Sequence, residues 1–132
     1  MKRCFVIGGA PINNYEYINT QIKEEDFLIF CDSGLIHLEH LNHQPNLIVG
    51  DFDSLGFVPD GSNIIQHPVM KNETDTILAV DVGFNEGYRD FVIYGCLGGR
   101  LDHTIASLQT AAFIAENGGR AYICDSTHTI TV

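Results

Sequence analysis

Basic residues are scarce in this chain. Its 132 residues hold 7 Lys plus Arg against 17 Asp plus Glu, a formal net charge of −10. Such a surface repels an extended phosphate backbone, which argues against nucleic acid as a partner. Long apolar runs are also missing: none approaches the roughly 20 residues needed to cross a bilayer, so no membrane partner is expected. The opening MKRCFVIGG is too short in its apolar part for a secretory signal, because Gly8 and Gly9 interrupt it. There is no CxxC pair. Cys4, Cys31, Cys96 and Cys124 each lie in or beside an apolar stretch, which predicts buried, reduced thiols in a cytoplasmic protein. Linkers, repeats and low-complexity tracts are absent too, leaving one domain over residues 1–132.

What remains is a regular alternation. Apolar runs of strand length occur at Cys4 to Ile7, Phe27 to Cys31, Leu47 to Val49, Ile64 to Ile65, Phe91 to Tyr94 and Ala121 to Cys124. Between them, Tyr15 to Ile22, Leu35 to Leu41, Thr74 to Phe84 and Leu101 to Glu116 read as helices, the last stopped by Asn117, Gly118 and Gly119. Strands apolar along their whole length are covered on both sides. The expected fold is therefore α/β, a mostly parallel sheet in three layers with helices on both faces. Ligands of such sheets bind beyond the carboxyl ends of the strands.

Polar residues gather at those ends. Gly8 and Gly9 follow the first strand, Asp32, Ser33 and Gly34 the second, and GDFDS (Gly50 to Ser54) the third. KNETD (Lys71 to Asp75) and GGRLDH (Gly98 to His103) follow the fourth and fifth. Asp51 and Asp53 are two apart, so in extended chain both carboxylates leave the same side, and like charges that close call for a cation. With Asp75 they make three oxygen ligands, a set that suits magnesium while leaving room for water and phosphate. As a bare turn, GDFDS would not explain a further acid at the next strand end. Lys71 offers a point charge to a polyphosphate, and Arg100 a planar fork after two flexible glycines. Thr74 can cap the helix that Asp75 opens. Asp102 and His103 fall in the first turn of a helix whose free N–H groups favour an anion. Together these features predict a magnesium-dependent nucleotide enzyme.

Other patterns carry less. Neither GxGxxG nor GxxxxGK[ST] is present, which excludes an ordinary dinucleotide fold and a P-loop kinase. His37, His40 and His43 are spaced three and three, unlike the HExxH of zinc proteases, and are expected on a solvated helix face.

The series of Gly8 and Gly9, CDSG (Cys31 to Gly34), GDFDS, KNETD and GGRLDHTIAS resembles the catalytic domain of the thiamine pyrophosphokinase (thiamine diphosphokinase) family over nearly the whole sequence. The resemblance implies transfer of a diphosphate group from ATP to thiamine, giving thiamine diphosphate and AMP, with magnesium. It assigns Asp51, Asp53 and Asp75 to the metal and Lys71 and Arg100 to the ATP phosphates, with Asp102, Asp32 and His103 around the reacting groups. The candidate catalytic set is thus Asp51, Asp53, Asp75, Arg100 and Asp102. Gly8, Gly9, Asp32, Ser54, Lys71, Thr74, Arg100 and His103 are the candidate ATP contacts. Ser107 stands where many family members carry Asn. Family members are homodimers whose thiamine site includes a second, β-rich domain, so residues 1–132 are expected to be the ATP- and magnesium-binding catalytic domain without that C-terminal partner, able to bind Mg-ATP but slow in turnover alone. A phosphatase with an aspartyl nucleophile is the alternative enzyme, although its DxD normally ends the first strand rather than the third. A nucleotide- and metal-binding module without turnover is the other.

Overall fold

A computed structural model describes residues 3–12, 14–50, 64–66, 75–96, 101–125 and 129–131; for Asp32, Ser33, Ile64 to Gln66, Asp75, Asp102 and His103 it describes the backbone. The strands are β1 (Arg3–Ile7), β2 (Phe27–Cys31), β3 (Leu47–Gly50), β4 (Ile64–Gln66), β5 (Asp90–Tyr94), β6 (Arg120–Cys124) and β7 (Thr129–Thr131). The α-helices are α1 (Tyr15–Gln21), α2 (Asp75–Asn85) and α3 (Leu101–Glu116), and a 3-10 segment covers Asp32–His40.

Among the described residues these strands form one mixed sheet in the order β4-β3-β2-β1-β5-β6-β7. Neighbours from β4 through β6 pair in parallel. β7 joins β6 antiparallel, with Ile123 opposite Ile130. Because successive strand residues point to opposite faces, each apolar strand feeds two cores. Cys4 and Val6 of β1 join Ala79 and Val80 of α2 and Ala111 and Ile114 of α3. Phe5 and Ile7 join Ile18 of α1, with Leu35 and Leu38 of the 3-10 segment packed against them. The helices thus cover both faces.

The segment after β2 differs from expectation. It is a 3-10 turn series over Asp32–His40 instead of an α-helix over Leu35 to Leu41. A three-residue period explains why: side chains at i and i+3 eclipse in that geometry. Leu35, Leu38 and buried Leu41 form the row facing the core, whereas Ile36 and Glu39 form an exposed row. The third row begins with His37, which is 2% exposed. The expected solvated histidine face is thereby corrected at His37, although His40 remains exposed.

At the amino edge of the sheet, scarce basic charge is spent on architecture. Arg3 donates from Nε to Asp26 Oδ1 at 3.2 Å and from Nη2 to Oδ2 at 2.9 Å. The same guanidinium reaches the Gln21 carbonyl at 2.8 Å, and the Lys23 amide donates to Asp26 Oδ2 at 2.8 Å. With its side chain 1% exposed, Asp26 depends on these partners.

Candidate active site at the carboxyl edge of the sheet

Strand order locates the site. From β1 the chain moves outward through β2, β3 and β4, then returns to lay β5 against the other side of β1. Connections therefore diverge between β1 and β5, and that divergence, beyond the carboxyl ends of the strands, is where a sheet of this kind holds its ligand crevice. Gly8 and Gly9 leave β1 there, and Gly95 and Cys96 leave β5.

The two exits are interlocked. The Gly8 amide donates to the Tyr94 carbonyl at 2.8 Å, and the Ala10 amide to the Gly95 carbonyl at 2.6 Å. Gly95 has φ +74°, and a methyl carbon placed on it would fall 2.2 Å from the Gly8 carbonyl oxygen. A Cβ on Gly8 would meet Cys96 Sγ at 2.6 Å, so buried Gly8 lets the loops approach each other, while half-buried Gly9 lies nearer the surface. The glycine of CDSG is fixed in the same way, since a Cβ on Gly34 would stand 2.2 Å from the Ile7 carbonyl oxygen.

Cys96 connects this junction to two helices. Its thiol lies 3.8 Å from Thr76 Oγ1, one residue after Asp75 at the start of α2. Its carbonyl accepts from Ser107 Oγ of α3 at 3.3 Å, and Ser107 is 3% exposed. Burial pushes the Cys96 thiol up from its ordinary range, against hydrogen bonds that lower it. Nothing in the sequence marks Gly95 as a contact of the β1 exit, or Cys96 as more than a buried thiol. Their only signal is a glycine directly after an apolar strand, where close backbone approach is common.

His37 binds a third loop to the first. Its Nε2 lies 2.9 Å from the Ala10 carbonyl, and its Nδ1 2.7 Å from the Tyr15 hydroxyl. A carbonyl only accepts, so Nε2 carries the proton; the neutral ring then accepts at Nδ1 from Tyr15 O–H. Burial lowers the His37 pKa, countered in part by the hydrogen bond to Ala10. His40 stacks on the Tyr15 ring at 4.5 Å between centroids. Among the described residues, no group of three or more His, Cys, Asp or Glu is arranged to hold a metal ion.

The predicted residues distribute as follows. Gly8 and Gly9 follow β1, Asp32 begins the 3-10 segment after β2, Asp75 is the first residue of α2, and Asp102 and His103 are the second and third of α3. Asp51, Asp53, Ser54, Lys71, Thr74 and Arg100 lie outside the described residues. Their chain neighbours are described: β3 ends at Gly50, α2 starts at Asp75 and α3 at Leu101. Since β3, β2, β1 and β5 are parallel neighbours, their exits follow one another along a single edge. The carboxylates that sequence reasoning gives to magnesium are hard oxygen donors, a set that fits that ion.

Among the described residues no helix is long and apolar enough to cross a membrane, and all four cysteines are buried. Residues 18–123 match the family model described as "Thiamin pyrophosphokinase, catalytic domain". A curated relative, thiamine pyrophosphokinase of Bacillus subtilis, is 26% identical over 115 residues, which is 83% of this chain but 54% of that protein. The crystal structure of thiamine pyrophosphokinase from Bacillus subtilis superposes with a TM-score of 0.76 at 22% identity, covering 96% of this chain and 61% of the other. That of a thiamin pyrophosphokinase family protein from Enterococcus faecalis gives 0.73 at 26% identity, covering 98% and 63%. The chain therefore spans little more than half the length of these relatives. With the family match extending over most of its length and the strand-end motifs in their expected order, this chain belongs to the thiamin pyrophosphokinase family, of which it carries the catalytic domain.

Proposed function

We propose that this domain binds Mg-ATP beyond the carboxyl ends of β3, β2, β1 and β5, in a protein that transfers a diphosphate group from ATP to thiamine. The observation that carries this reading is the strand order, which brings the exits bearing GDFDS, CDSG, the Gly8–Gly9 turn and GGRLDH to consecutive positions on one edge. The domain is, on this reading, a Rossmann-like, mostly parallel three-layer unit. It works as a homodimer in the cytoplasm, where ATP is abundant and the buried thiols stay reduced.

The thiamine hydroxyl oxygen attacks the β-phosphorus of ATP. A new P–O bond forms there as the bond from the β-phosphorus to the oxygen bridging the α-phosphorus breaks. AMP leaves with the electron pair, and the hydroxyl proton is lost. Chemistry of this kind depends on positioning and charge stabilisation more than on a protein nucleophile. Asp51, Asp53 and Asp75 would hold magnesium, which when bound neutralises the phosphate charge that develops. Lys71 and Arg100 grip phosphate oxygens, Arg100 through two parallel hydrogen bonds. The α3 N-terminus directs free N–H groups at the same anion, beside Asp102 and His103. Asp32, Ser54 and Thr74 complete the polar surround.

The test is Mg-ATP calorimetry and product separation with thiamine, on the intact protein and on its Asp51→Asn and Asp53→Asn variants. AMP with thiamine diphosphate supports the reading, and loss of Mg-ATP binding in the variants supports the metal assignment. Free phosphate would favour the aspartyl phosphatase. Binding without any product would favour the non-catalytic module.

A further inference from the structure

We infer that His37 is a positioning residue for the nucleotide: by holding the Ala10 carbonyl, it fixes the turn from Gly8 to Ala10 that borders the crevice. This rests on the reading of that crevice as the ATP site. The turn lies past the end of β1, and only its first residue still pairs with the sheet, through the Gly8 amide and the Tyr94 carbonyl of β5. Ala10 is instead held from two sides: its amide donates to the Gly95 carbonyl of the β5 exit, and its carbonyl accepts from His37 Nε2. Both partners come from other loops, so the position of Ala10 records the relative placement of the β1, β2 and β5 exits.

The same imidazole also reaches the far end of the connection. Tyr15 opens α1, and its hydroxyl donates to His37 Nδ1. One ring thus spans the β1–α1 connection at Ala10 and again at Tyr15, while the ring itself is nearly inaccessible at 2% exposure. Its place on the three-residue row turns it inward, next to Leu38 and away from exposed Ile36. Few side chains could substitute. A leucine would fill the space but leave the Ala10 carbonyl and the Tyr15 hydroxyl without their partner, and a lysine would bring a charge into a site that has no acid opposite it among the described contacts. A neutral histidine supplies one donor and one acceptor at opposite corners of a rigid ring. Because that ring holds the backbone of a turn, its removal displaces the turn and not only the ring.

The intact protein and its His37→Leu, His37→Gln and Tyr15→Phe variants decide this. Displacement of the turn in His37→Leu should raise the KM for Mg-ATP about tenfold, because it removes binding made equally in the ground and transition states. The thiamine KM and kcat should move by less than about threefold, since binding of the nucleotide is what weakens. His37→Gln keeps an N–H for Ala10 and should recover most of the loss, with Tyr15→Phe between the two. A folded His37→Leu protein with parental KM for Mg-ATP, or one that loses kcat alone, overturns the inference. If His37→Leu fails to fold, nitrogen-15 NMR of the parent imidazole takes over: a neutral ring protonated on Nε2, and faster exchange of the Ala10 amide in Tyr15→Phe, support it. A ring protonated on Nδ1 overturns it. A parent that makes no thiamine diphosphate rejects the proposed function and the nucleotide role together. An active parent with unaltered variants rejects His37 alone.

Discussion

Gly95→Ala should be among the most damaging small substitutions in the domain. Two costs combine at that position. A left-handed backbone at φ +74° penalises any Cβ by about 1 to 2 kcal/mol. The new methyl would also lie 2.2 Å from the Gly8 carbonyl oxygen and 2.8 Å from its carbon, in a residue whose amide is held by the Tyr94 carbonyl of β5. Relieving an overlap of that kind costs a further 1 to 3 kcal/mol or so. The total, roughly 2 to 5 kcal/mol, compares with a stability of about 5 to 15 kcal/mol for an ordinary domain. Gly118→Ala provides the control: φ is +84° there, but nothing lies within 4 Å of the added carbon. It should cost only the backbone part, about 1 to 2 kcal/mol. Urea melts at constant slope should therefore place the Gly95→Ala midpoint about 1 to 2 M below that of Gly118→Ala. Coincident midpoints would refute the argument that close approach of the β1 and β5 exits demands glycine.

Three further expectations concern charge. Asp26→Ala removes the carboxylate that holds Arg3 and the Lys23 amide; the loss should be about 2 to 3 kcal/mol in thermal or urea melts, at the low end for a buried pair because Arg3 reaches solvent. For His37, the folded pKa lies below the ordinary 6.5, so as pH falls through 6.5 the unfolded chain binds a proton before the folded one does. Its contribution to stability is complete above 6.5 and declines below, by at most about 1.4 kcal/mol per pH unit, until the folded pKa is passed. His37→Gln should lose that slope; parallel stability–pH curves for parent and variant would contradict it. Arg100→Lys should cost most of the transferase activity proposed for the intact protein, since lysine keeps the charge but not the two-pronged grip, and kinetics unchanged across ATP concentrations would make Arg100 a surface cation.

How far the sequence was legible depended on whether a signal was local. Strand positions such as Phe27–Cys31 are continuous apolar runs, so period and composition suffice, and α3 declares its stop at Asn117 to Gly119. The motif-bearing strand ends follow from the same reading, because parallel strands share an exit edge. Contacts between distant residues were hidden. The demand for Gly95 arises only when β5 meets β1, and nothing near Gly95 in the chain announces Gly8. The burial of His37 is hidden for a related reason: a spacing of three reads as an α-helical face, whereas the 3-10 geometry turns His37 toward Ala10 and Tyr15. Boundaries moved by a residue where the ladder continues past the apolar run, as at Arg3 and Asp90, which pair with each other.

The central place of β1 also governs the order in which the sheet can be assembled. Cys4 pairs with Phe27 on one side and with Phe91 on the other, so the first strand made acquires one neighbour early and the second only after most of the domain has emerged. Through that interval β1 presents an unpaired edge, apolar from Cys4 to Ile7, the kind of template on which chains associate wrongly. Parallel pairing of such distant segments is slow, since loop closure precedes any reward from the contacts. Agents that shorten that wait, or shield the edge during it, should increase the yield of folded domain without altering its final stability.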